Sequence, residues 1–289
     1  MCSIGGAWAG AQSNAPWGLA RVSQRGPVGT APWTYKFADN AGEGVNVFVL
    51  DTGIDIAHPD FEGRAVWSRN FTGDGIDRDC NGRGTHLAGT VGGKTYGVAK
   101  KVNVIAVKVA GCAGTATATD LIEGINFVVA YAKGPKGNVI LIGSAHVHNA
   151  ALNQAVASAY TKGLVVVVPA GNLGLDACSY SPAGAPSAVT VAAMTQRDRR
   201  LLLSNQGRCV DVLGPGENIV SAGPGATTGT RSGTAMAAAH GAGIAATVLS
   251  QGTPANQVEA KIKSLATKNA VAGFNSATPN ALLFNGISA

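Results

Sequence analysis

Short apolar runs recur along the chain at 45–50, 103–109, 138–143, 164–169, 188–193 and 209–212. Most are of strand length and rich in valine and isoleucine, the pattern of strands buried on both faces. Between or after them, helical spacing of apolar residues runs over 84–93, 117–132, 149–162, 234–250 and 254–266. Strand alternating with helix predicts an α/β fold, a mostly parallel central sheet flanked by helices. Thr253-Pro254 reads as an N-cap followed by a proline in the first turn of the last helix. No apolar run approaches the roughly 18 residues needed to cross a membrane, so no membrane partner is expected. There is no internal repeat and no linker. One domain over 11–289 is therefore expected, with 1–10 as a flexible N-terminal extension.

Composition sharpens this picture. Hydrophobic residues make up 46% and charged residues 13%, which favours a packed core over disorder. The 40 glycines imply many tight turns and close helix–sheet contacts. The net charge is +6, but the lysines are scattered, as at Lys100, Lys101, Lys133 and Lys136, with no dense basic run interleaved with aromatics. This reads as ordinary surface charge, and no nucleic-acid partner is expected. Residues 1–10 have neither the basic start nor the apolar core of a signal peptide.

The candidate chemistry begins at Ser232-Gly233-Thr234-Ala235-Met236-Ala237. A Gly-Thr step opens a long alanine-rich helix, whose first turn lies in the positive field of its N-terminus. That field suits a nucleophile that must carry an oxyanion intermediate, yet position 235 offers a methyl group. The segment resembles the serine motif of the subtilisin-like (S8) serine proteases, nearest the proteinase K and aqualysin branch. Three further segments resemble that family's motifs in its order. Val45-Asn46-Val47-Phe48-Val49-Leu50-Asp51-Thr52-Gly53-Ile54-Asp55 resembles the aspartate motif, Asn81-Gly82-Arg83-Gly84-Thr85-His86-Leu87-Ala88-Gly89-Thr90 the histidine motif, and Pro169-Ala170-Gly171-Asn172 the oxyanion asparagine motif. The two ends, Asn14-Ala15-Pro16-Trp17-Gly18-Leu19 and Thr278-Pro279-Asn280-Ala281-Leu282-Leu283, resemble the family's ends. The resemblance implies a subtilisin-like three-layer fold.

A serine protease needs a nucleophile, a base and a carboxylate that orients the base. On this resemblance the triad positions are Asp51, Arg83 and Ala235, the last two degenerate. His86 matches the family's second, structural histidine. It lies three helical residues beyond Arg83, displaced by about 4.5 Å along the axis and about 60° around it, so it cannot stand in for the base. A guanidinium stays protonated in proteins and cannot serve as one either. In subtilisin, losing the serine or the histidine alone lowers turnover about 10⁶-fold. Alanine at 235 alone is what a deliberate inactivation leaves; arginine at 83 as well points to degeneracy native to the chain. Arg83 is expected to pair with Asp51 through a charge-assisted hydrogen bond.

The resemblance implies two cleft walls, Gly114-Thr115-Ala116 and Gly143-Ser144-Ala145-His146. Histidine at 146 replaces a family glycine and should crowd the specificity pocket. His146 and His148 share a strand face, so a metal is conceivable, but no third ligand is evident. His58 and His240 read as structural. Asn172 is either an oxyanion donor or a structural hydrogen-bonding group. The resemblance also implies a structural calcium on Pro186, Ala188 and Asp211, hard oxygen ligands suited to that ion, and no catalytic cofactor. Of the five cysteines, four admit three pairings on sequence alone. The resemblance implies Cys80–Cys112 and Cys178–Cys209, hence a secreted or otherwise oxidising location, and leaves Cys2 unpaired at a mobile end. Each loop of about 32 residues would add on the order of 3–4 kcal/mol by the chain-entropy model.

The expected function is that of a proteolytically inactive subtilase-fold monomer whose remodelled cleft binds a peptide, protein or small molecule. Two alternatives stand beside it. One is a repurposed enzyme using Asp51, Arg83 and His146 for acid–base or anion-stabilising chemistry on a small molecule; the other is an S8 endopeptidase in an inactivated form.

Overall fold

The computed structural model describes residues 9–287. Nine strands form one sheet: β1 Asn46–Asp51, β2 Ala65–Asn70, β3 Asn103–Lys108, β4 Asn138–Ile142, β5 Val165–Pro169, β6 Ala188–Met194, β7 Val212–Pro215, β8 Thr267–Lys268 and β9 Ala281–Leu282. Their order across the sheet is β8-β9-β7-β6-β5-β4-β1-β3-β2. Every pairing is parallel except that of β8 with β9.

The valine-rich runs follow from burial on both faces. In β1, Val47 and Val49 enter one core while Phe48 and Leu50 enter the other. Four helices contribute to the first core: α1 Trp17–Val22, α2 Arg83–Gly92, α5 Thr234–Ser250 and α6 Val258–Leu265. Helices α3 Ala118–Tyr131 and α4 Ala150–Thr161 cover the opposite face. The result is the expected three-layer α/β arrangement. All 17 residues of α5 are buried, which explains its alanine-rich composition: small side chains let a helix lie close to sheet and neighbour. A Cβ on Gly243 would stand only 2.5 Å from Val98 Cβ, so this crossing requires glycine.

The helices predicted from periodicity form within a residue or two, save at the start of the last one. Pro254 is there the N-cap of a short 3-10 turn, Ala255–Gln257, with no side-chain cap from Thr253, and α6 begins only at Val258. The strand expected at 209–212 forms at Val212–Pro215. Cys209 is held in a disulfide and Val210 N–H turns back to Gly207 O, so ladder pairing with β6 starts only at Val212. Strand β2 was invisible as an apolar run because it is an edge strand: Val66 is half exposed and its neighbours are polar. The boundary expected at residue 10 falls inside a strand, since Ala9–Ser13 pairs antiparallel with Thr34–Ala38. Both implied disulfides are present, Cys80–Cys112 and Cys178–Cys209. Cys2 lies outside the described residues.

Two buried histidines sit in this core. His86 Nε2 lies 2.8 Å from Ile219 O, and His240 Nδ1 2.8 Å from Met236 O. Burial lowers both to about 4. An unfolded chain binds these protons near pH 6.5, so it takes up protons that the folded state refuses. The stability conferred by neutral His86 and His240 is complete above pH 6.5 and is lost as pH falls towards 4. Thermal melts across that interval will show a falling midpoint, and a His240→Gln variant will show a shallower fall.

Candidate functional site

Asp51 ends β1, a central strand, at the edge of the sheet where helix α2 begins. Its side chain is fully buried, and Arg83 Nε lies 2.9 Å from both carboxylate oxygens. The pairing expected of the sequence is therefore in place. Thr52 N–H adds a 2.8 Å hydrogen bond to Oδ1. Burial raises the Asp51 carboxyl above its ordinary value, and the Arg83 charge is the largest influence opposing that rise. Room for the carboxylate depends on Gly143, where any Cβ would collide with Asp51 Oδ2.

Arg83 is itself held at several points. Nη1 donates to Gly114 O at 2.8 Å, while Nη2 is buried without an acceptor. The Cys80–Cys112 disulfide joins the loop before Arg83 to the loop that carries Gly114, and Asn81 Nδ2 donates to Cys112 O at 3.0 Å. A residue that the sequence reading missed organises this corner. Asp79 is buried; its Oδ1 accepts from Asn81 N, Gly82 N and Thr52 Oγ1, and its Oδ2 from Thr85 N and Oγ1. It supplies the anion that an N-terminal helix turn favours, and so offsets the cationic Arg83 in that turn. Its position three residues before Gly82 was the available signal.

Opposite stands the N-terminus of α5. Ala235 lies in its first turn, 6% exposed. Asn172 Oδ1 accepts from Thr234 N and Thr234 Oγ1, both at 2.9 Å, which leaves the Nδ2 amide without a hydrogen-bond partner among the described residues. Asn172 thus caps the start of the helix through its oxygen. The two expected walls, 114–116 and 143–146, line one cleft of about 490 Å³ with Arg83, Asn172 and Thr234. Asp51 and Ala235 are buried residues. The cleft therefore offers hydrogen-bond donors, while motif positions 83 and 235 supply a guanidinium and a methyl group.

His146 also lines the cleft, on a two-residue strand in which His146–Val147 pairs with Tyr180–Ser181. Burial lowers its pKa, and its nearest polar side-chain contact is Ser144 Oγ, 3.5 Å from Nε2. The expected crowding of the pocket is incomplete, since the cleft stays open around it. His148 is exposed beyond the end of that strand, and no group of three metal-ligating side chains occurs among the described residues. His86 is locked against Ile219 O and His58 Nε2 against Thr227 O, both away from the cleft.

The calcium set fits poorly. Asp211 Oδ1 is 2.6 Å from Lys263 Nζ and its Oδ2 accepts from Thr190 N at 2.8 Å. Both oxygens have partners, one of them an ammonium that already neutralises the charge a dication would need. The carbonyls of Pro186 and Ala188 alone are no calcium site. Lys263 is also 2.6 Å from Glu259, one helical turn earlier.

Comparison with known proteins agrees with this fold. The model of the Subtilase family, Peptidase S8, matches residues 42–283. Subtilisin-like protease 1 of Trichophyton rubrum is 43% identical over 280 residues, covering 95% of this chain and 55% of that protein. Subtilisin-like protease 7 of Trichophyton violaceum is 46% identical over 244 residues, covering 83% of this chain and 60% of that protein. The chain thus spans little more than half the length of these relatives. Among solved structures, the crystal structure of a cold adapted subtilisin-like serine proteinase matches with a TM-score of 0.89 and 40% identity, over 94% of this chain and 99% of that one.

Two outcomes follow from the ion pairs. Arg83→Met leaves a buried carboxylate without its cation and will destabilise the fold by about 3–5 kcal/mol at neutral pH. The deficit will shrink as pH is lowered, because a protonated Asp51 needs no cation, and Asp51→Asn in the same chain will recover part of it in denaturant melts. At the other site, calcium against chelator will leave the wild-type melting temperature unchanged and will raise that of Lys263→Met, where Asp211 is released.

Proposed function

The chain belongs to the subtilase family, and from that membership and its altered cleft we propose that it is a proteolytically inactive subtilase-fold protein that acts by binding. The observation that carries this reading is the position of Arg83, with Nε 2.9 Å from both oxygens of Asp51. A group that stays protonated is held against the carboxylate that would orient a catalytic base. Ala235 removes the nucleophile as well. The donors that remain, chiefly Asn172 Nδ2, can hold a carbonyl or carboxylate oxygen without attacking it.

The same contacts weigh against new acid–base chemistry at this place. Arg83 is engaged by Asp51 and by Gly114 O, so it is not free to follow a reacting anion. Among the described residues His146 has no carboxylate partner, and the cleft is open rather than sealed. Arg83 also occupies the carbonyl of Gly114, an acceptor on the wall where an extended chain would add a strand. A bound peptide would therefore lie differently from a substrate that pairs along that whole wall. The two disulfides support a secreted protein or another oxidising location. Monomeric action remains part of the proposal.

The test is peptidase assay of the wild type, Ala235→Ser, and Arg83→His with Ala235→Ser, against a panel of peptide substrates. Wild type and the single variant are expected to stay at background, because one missing triad member lowers turnover about as much as two, roughly 10⁶-fold. Turnover by the wild type, or its return in Ala235→Ser alone, overturns the proposal.

A further inference from the structure

Beside the cleft, large apolar side chains stand in water on two loops that are fastened together. Leu173 and Leu175 follow β5 and are 66% and 53% exposed; Leu202 and Leu203 follow β6 and are 82% and 38% exposed. The backbone beneath them is held firmly. Gly174 N donates to Leu203 O and Gln206 N to Leu175 O, both at 2.9 Å, while Leu173 N and Leu175 N both donate to Asn205 Oδ1. Asn205 is fully buried and donates in turn to Ala170 O. The Cys178–Cys209 disulfide ties down the segments that follow. Single exposed leucines are ordinary, whereas four on one hydrogen-bonded platform form the kind of patch that marks an interaction surface.

The surroundings of this platform are basic. Arg197, Arg199 and Arg200 immediately precede Leu201, and Arg208 follows. Asp198, the acidic residue among them, is turned away: its two oxygens take Arg21 Nε at 2.8 Å and Nη2 at 3.2 Å. Among the described residues, none of these four arginines pairs with a carboxylate. Arg200 keeps a buried Nε without an acceptor. The acidic groups nearby are Glu217, which lines the same groove of about 970 Å³ as Arg197–Leu203, and Asp176, whose Oδ1 accepts from Cys178 N. The surface therefore carries excess positive charge around apolar anchors. It is continuous with the cleft, because Leu173 lines the cleft next to Asn172.

We infer that the Leu173–Leu175 and Arg197–Leu203 loops form a docking surface for an acidic peptide segment of a partner protein, one with leucine-like side chains set among aspartates or glutamates. Apolar side chains of the segment cover the four leucines and its carboxylates meet the arginine rim. The inference rests on the binding role given to the cleft only in that the same segment reaches it past Leu173.

The probe is a fluorescein-labelled peptide of alternating leucine and glutamate pairs, with a matched peptide carrying lysine for glutamate, read by fluorescence anisotropy. The glutamate peptide binds the wild type, more weakly as salt is raised, and the lysine peptide does not. Leu173→Ser with Leu202→Ser, and separately Arg197→Glu with Arg199→Glu, each weaken binding by about tenfold or more, with melting temperatures within those of the wild type to show intact folding. Three results overturn the inference: equal affinity for both peptides, affinity unmoved by either pair of substitutions, or a wild type that instead sediments with phosphatidylserine vesicles or self-associates through the leucines. Cleavage of the bound peptide would leave the docking surface standing and defeat the inactive-protease reading, so the two failures are separable.

Discussion

A carboxylate at the end of a central strand, out of reach of water, has to be neutralised. Asp51 is that carboxylate, and the site is arranged around the cation that meets it. The absence of a side chain at Gly143 makes room for it. The Asp79 cap, by placing an anion at the start of α2, stabilises a turn whose first residue is itself cationic. The Cys80–Cys112 crosslink holds the Gly114 loop where its carbonyl can take the second edge of the guanidinium. These features together fix Arg83 against Asp51.

The same solution recurs elsewhere in the molecule. Asp198 pairs with Arg21, Asp74 with Lys108 and Asp211 with Lys263; Arg21 and Lys108 have no exposed side-chain surface at all. Taking charges out of water is unfavourable unless partners and hydrogen bonds compensate. This chain compensates with its own cations. At Asp211 the ammonium occupies one of the carboxylate oxygens that the implied calcium set would use. At Asp198 it is indirect: by engaging the acidic member of a basic loop, Arg21 leaves the exposed Arg197 and Arg199 without a carboxylate partner among the described residues.

Much of the fold was legible in the chain. The valine-rich runs read as strands because both faces of the sheet are covered, and the alanine-rich run at 234–250 read as a helix whose small residues suit complete burial. What escaped were elements whose partners lie far away in sequence. Strand β2 is an edge strand with one exposed face, and the Ala9–Ser13 strand depends on pairing with Thr34–Ala38. Around the cleft, the resemblance to family motifs pointed to Asp51, Arg83, Asn172 and Ala235, while Asp79 and the Lys263 contact with Asp211 were hidden because their roles arise from side chains meeting across elements.

By itself the sequence determined the identities that no packing can change: a methyl group at 235 and a permanently charged group at 83. Those two facts hold whatever the surroundings, and the proposed loss of proteolysis rests on them, since chemistry needs a particular atom. The tertiary structure decided what the remaining groups do. It turned Asn172 Oδ1 onto Thr234, gave Asp211 an ammonium, and joined the loop of the exposed Leu173 to that of Leu203 through Gly174. Burial, hydrogen-bond partnership and charge neutralisation are properties of neighbours, and neighbours are assigned only when distant segments fold together.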